Sequence, residues 1–175
     1  MDLIPVITAS RILHVLGAIV LFGGAYFIRN VLFPVAAQLP DDAHQQLKEG
    51  VSGKWRKIVG MAIGLLILTG FYNYLVVTGP QHRGDKLYAA LMGIKILLAF
   101  VVFFYASALA GRAKAFEGIR RNAKFWMSVN LLLATVVVGI AGFLKVRGVP
   151  APAVGDPTPA IAEPVPEVVP VESQQ

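Results

Sequence analysis

The sequence predicts an all-α integral membrane protein: four transmembrane helices in an antiparallel bundle, followed by a disordered Pro-rich tail. Three observations carry this expectation. Only 15% of the 175 residues are charged, against about a quarter in soluble domains, and the mean hydropathy is +0.66. The charge is clustered, leaving four apolar blocks that can each supply about 20 residues, enough to cross roughly 30 Å of hydrocarbon at about 1.5 Å per residue. In lipid every backbone polar group must be paired within its own segment, so these blocks are helices. Finally, composition changes sharply after Arg147.

The first block spans about 3–33, with the core "ILHVLGAIVLFGGAYFI" between Arg11 and Arg29. It lacks a basic n-region and a clear small-residue cleavage site, and reads as a retained span rather than a secretory signal. Pro34 and Pro40 are expected to close it. "PDDAHQQLKEGVSGKWRK" then reads as a short surface helix with Asp41 or Asp42 as its cap. The second span covers 58–77, "TGPQHRGDK" is a tight turn, and the third span covers 87–109, interrupted by Lys95. "GRAKAFEGIRRNAK" is a basic loop before the fourth span, 125–144. These elements form a domain over 1–147. The tail, 148–175, holds seven of the 11 prolines and carries −4 of the chain's net +6, leaving +10 on the body. Such a segment is expected to be an extended, solvated tail, with binding to a periplasmic partner as the alternative its polyproline character allows.

Cysteine is absent, which excludes disulfides, thiolate metal sites, iron–sulfur clusters and cysteine nucleophiles. The basic residues flank apolar runs, so they are expected to meet lipid headgroups rather than nucleic acid. The first and third loops with their flanks hold ten Lys and Arg; the opposite side holds four. By the positive-inside rule both termini face outward, which in a bacterium places them in the periplasm and the bundle in the inner membrane.

Two residues do not belong in lipid. Lys95 at mid-span costs about 2.5–3.5 kcal/mol on insertion scales, and His14 sits in the oily run of the first helix. Counted from the outer end, both lie roughly 12–16 Å below the surface. The second helix brings Thr69 and Asn73 to the same half, and Arg11 lies one turn outward from His14. A polar cluster of Arg11, His14, Asn73 and Lys95 is therefore expected in the outer half. Gly17, Ala18 and Gly24 continue the His14 face with small residues that admit a neighbouring helix or a flat cofactor. Met92 lies one turn from Lys95 on its own face. Plainer roles stay open: an interhelical hydrogen bond for His14, and snorkelling to the interface for Lys95 and Arg11.

The order of "RILHVLGAIVLFGG", "KWRKIVGMAIGLLILTGFYNYL" and "LYAALMGIKILLAFVVFF" resembles the superfamily that joins the copper-resistance D membrane domain with the HemJ-type protoporphyrinogen oxidases. The resemblance covers residues 8–145. It implies a membrane protein binding haem b, with a functional His in helix one and Lys in helix three, positions matched by His14 and Lys95. That family's arginine-rich stretch after helix one is replaced here by "IRNVLFPVAAQL", and Gly93 and Ile94 stand where a second histidine precedes the lysine. The carry-over is thus limited to His14 and Lys95. On this reading His14 is the axial metal ligand or proton-transfer group. Lys95 and Arg11 are the candidate catalytic residues, offsetting negative charge on porphyrin propionates or an anionic substrate. Gly17, Met92 and Asn73 complete the cofactor-binding set. The other branch implies copper handling, with copper as the alternative cofactor. A third expectation is a non-catalytic assembly or anchoring subunit whose tail contacts periplasmic partners, and a homo-oligomer is a separate expectation.

Overall fold

A computed structural model describes residues 3–149; all but the first two residues of the predicted tail lie outside them. Among the described residues, four helices are long and apolar enough to cross a bilayer: α1 (Ile4–Ala36), α2 (Asp41–Thr78), α3 (Lys86–Ala110) and, after the short α4 (Glu117–Arg121), α5 (Ala123–Arg147). Pro5 opens α1, where the missing N–H costs nothing. Pro34 does not close it. A five-residue π-turn at Ile28–Leu32 widens the helix just before the proline, and the chain stays helical to Ala36. Proline leaves a carbonyl one turn back without its partner, and a widened turn is a common way to absorb that defect.

The surface helix expected over 41–57 is not separate. It is the first half of α2, 38 residues long, or about 57 Å at about 1.5 Å per residue. Pro40, extended at ψ 152°, starts the helix, and Asp41 and Asp42 favour its positive end. Nothing after them removes a backbone donor until Pro80. A second π-turn, Asn73–Thr78, ends α2. The turn to α3 uses Gly84 in the left-handed region, φ +84°. Asp85 then caps α3, its Oδ1 accepting from the Tyr88 N–H at 3.0 Å.

The helices associate as two pairs, α1 with α2 and α3 with α5. Contacts rising along α1 fall along α2: His14 meets Thr69, Gly17 meets Leu66 and Gly24 meets Trp55. The second pair shows the same order. Asp85 at the head of α3 takes a forked bond from Arg147 at the end of α5, at 2.7 and 3.2 Å. Tyr105 near the end of α3 stacks on Trp126 near the start of α5. A cluster of Leu21, Val59, Ala62, Leu66, Ala106 and Ala110 joins the pairs at one end. The outward faces are apolar and bare: Leu68, Met61, Leu97 and Leu132 are each about two-thirds exposed or more. Apolar faces of this kind are rare on water-soluble monomers and match a lipid solvent.

Candidate functional site

Between the two pairs, near the α2–α3 turn, lies a cavity of about 270 Å³ lined by all four long helices. It runs lengthwise along the seam, from Thr78 to Asn130. His14, Asn73, Met92 and Lys95 all line it. Arg11 and Gly17 do not. Arg11 is exposed on the outside of α1. Gly17 is buried against α2, where an added Cβ would stand 3.2 Å from Leu66 Cγ. At about 100° per residue, a three-residue step leaves its partner about 60° around the helix. His14 faces the seam, so Arg11 and Gly17 fall to either side of it.

The imidazole of His14 is held by a short relay. The Thr69 hydroxyl donates to the Leu65 carbonyl at 2.6 Å. Its single proton is thereby committed, so its oxygen can only accept from His14 Nδ1, 2.9 Å away. The hydrogen on Nδ1 leaves Nε2 of the neutral ring with its lone pair. The ring's side-chain partner among the described residues, Thr69, is thus engaged through Nδ1. Gly70 makes room for the ring, since a Cβ there would lie 3.1 Å from His14 Cε1.

The remaining polar groups of the cavity are under-partnered. Lys95 is half-buried and has no carboxylate within 4.0 Å among the described residues, the ion pair of Arg147 with Asp85 being elsewhere. The Oδ1 atoms of Asn73 and Asn130 are buried without a donor. The rest of the lining is mainly apolar, including Phe22, Phe71, Phe100 and Phe103. An imidazole, one cation and two amides therefore face a mainly apolar slot. That arrangement can ligate a metal through nitrogen, take a proton at Nε2, and neutralise a bound anion.

Sequence reasoning left Thr69 and Asn130 out of the site. Thr69 is four residues before Asn73 and so shares its face, a signal present in the sequence. Asn130 lies seven residues into α5 from the far end, and only the lengthwise run of the slot brings it in. No protein-family model, curated protein or solved structure matches the chain.

Proposed function

We propose that the chain is a polytopic inner-membrane protein, an antiparallel four-helix bundle with periplasmic termini, that binds haem b in the His14–Lys95 cavity and acts in redox or porphyrin chemistry. The observation that supports this reading is the relay Leu65–Thr69–His14, which engages the ring through Nδ1 on the wall of a cavity that Lys95 also lines. Ligating histidines are oriented in this way, the distal nitrogen fixed by a hydrogen bond so that the other is presented.

The donor set fits haem better than a bare metal ion. Among the described residues, no three His, Cys, Asp or Glu side chains cluster as a metal cage would require. The cavity offers one histidine and one methionine. A copper path calls for several such ligands in succession. A single imidazole suits an iron whose equatorial ligands come with the ring, and haem when bound would supply one-electron chemistry. The volume lies just under the roughly 300–1,000 Å³ usual for small-molecule sites, and all four long helices contribute to the lining. His14 would hold the iron, Thr69 would orient His14, and Lys95 would offset a carboxylate of the ring. The phenylalanines would keep water out.

The test is a visible spectrum of the purified protein from cells supplied with ample haem precursor. A Soret band is expected, and it should disappear in His14→Ala. A colourless parent, or a band unchanged in His14→Ala, sinks the proposal and leaves the His14–Thr69 bond as interhelical glue.

A further inference from the structure

At the opposite end of the seam is a larger cleft of about 1090 Å³. It is walled by the end of α1, the first half of α2, the end of α3 and the start of α5, with the α4 residues between them. Lys48, Arg112, Arg120, Arg121 and Lys124 line it, against one carboxylate, Glu49. Gln45 Nε2 already donates to that carboxylate at 2.8 Å. None of the five cations has an acidic partner within 4.0 Å among the described residues. One guanidinium nitrogen of Arg120 is moreover buried without any acceptor. A buried, charged donor left without a partner is costly, and four further cations line the same cleft. The deeper wall is apolar, with Leu32, Trp55 and Met127 among its residues.

We infer that this cleft is a binding site for an anionic phospholipid, its phosphate held by the Arg120–Arg121–Lys124 side and an acyl chain lying on the apolar wall. The shared chemistry is a phosphate monoanion or dianion. A lipid is chosen over a soluble phosphate because the cations stand against an apolar wall at the end of helices whose outer faces are bare hydrocarbon. Basic pockets between spans on the cytoplasmic side take such headgroups, and the ten-to-four distribution of Lys and Arg puts this end on that side. The inference rests on the membrane reading and is independent of haem.

Trp55 supplies a local reporter. Of the two tryptophans, Trp126 is not part of the cleft lining, and Trp126→Phe keeps an aromatic ring against Tyr105. The full chain carrying Trp126→Phe would be reconstituted in phosphatidylcholine vesicles. A brominated quencher would be introduced either as phosphatidylglycerol or as phosphatidylcholine. Trp55 should be quenched by the anionic lipid with an apparent affinity about tenfold above that for the zwitterionic one. Arg120→Gln, Lys124→Gln and Arg112→Gln should each lower that preference by about fivefold. The last two alter exposed side chains and so test the site even if the first does not fold. Equal quenching by the two lipids overturns the inference, as does a preference unchanged in all three variants. Loss of the preference in millimolar inorganic phosphate at constant ionic strength overturns the lipid assignment in favour of a soluble phosphate.

Discussion

Toward the α2–α3 turn the seam between the helix pairs holds one cation among phenylalanines; at the other end it holds five. Both openings are lined by the same four long helices, and α2 contributes to each. The difference lies in what the chain places at a given depth. The first cavity is built from spans, where every polar group must be justified against lipid, and it carries a single histidine held by Thr69 through Nδ1. The second is built where spans end, and its charges are many, most of them on exposed side chains that water or headgroups can reach. A fixed nitrogen suits coordination; a fan of guanidinium and ammonium groups suits a phosphate. Helix ends can therefore accumulate charge for attraction, whereas mid-span positions must rely on placement.

The largest expected effect that separates the two regions is His14→Ala, which should abolish haem absorbance and leave the lipid preference at Trp55 unchanged. Loss of both would show that the regions fold as one unit and that the comparison fails. Thr69→Val comes next. Without the relay Nδ1 loses its acceptor, and haem affinity should drop about 10–100-fold, as measured by haem titration. Lys95→Leu sharpens the contrast in a different way. It removes an insertion cost of about 2.5–3.5 kcal/mol, so the thermal midpoint in detergent should rise while haem retention falls. A lower midpoint would mean that Lys95 holds the bundle together. Gly24→Ala tests the packing between the regions. An added Cβ would overlap the Trp55 ring, and the rigid indole cannot yield, so a loss of about 1–3 kcal/mol is expected from chemical denaturation.

The smallest effect concerns the fastening of α3 to α5. The Arg147 guanidinium, and then the Tyr88 backbone N–H, hold the Asp85 carboxyl below the ordinary carboxylate range. A depressed folded-state value means that the stabilisation is complete above the ordinary range and fades as pH falls through it. Asp85→Asn keeps a capping oxygen but loses the charge. Its thermal midpoint should be slightly lower than the parent's at neutral pH, and the two should converge in acid. A constant gap down to low pH would remove the ion pair from the account.

The four long helices were legible because a run of about 20 apolar residues has few other solutions. The unity of α2 was not. Hydropathy ends where polar residues begin near Lys57, but a helix ends only where its backbone bonds fail, and 41–57 contains no proline. The π-turns also left no hydropathy signal, since they answer to one missing N–H or to packing rather than to apolar content. At the site, counting residues placed His14 and Lys95 at one depth, and both line one cavity. Arg11 was misplaced because depth and face are separate coordinates: one turn outward is near in height yet about 60° away in azimuth.

The two π-turns carry a consequence for how the chain can change in length. Each spends one residue more on a turn than the α-helix needs. Removing one residue from Ile28–Leu32 or Asn73–Thr78 would let that turn relax to ordinary pitch while the segments on either side keep their facing. The same deletion elsewhere in a span would swing everything beyond it by about 100°, turning lipid-facing leucines into the seam. These two turns are the places where the bundle can lose a residue and keep its interior.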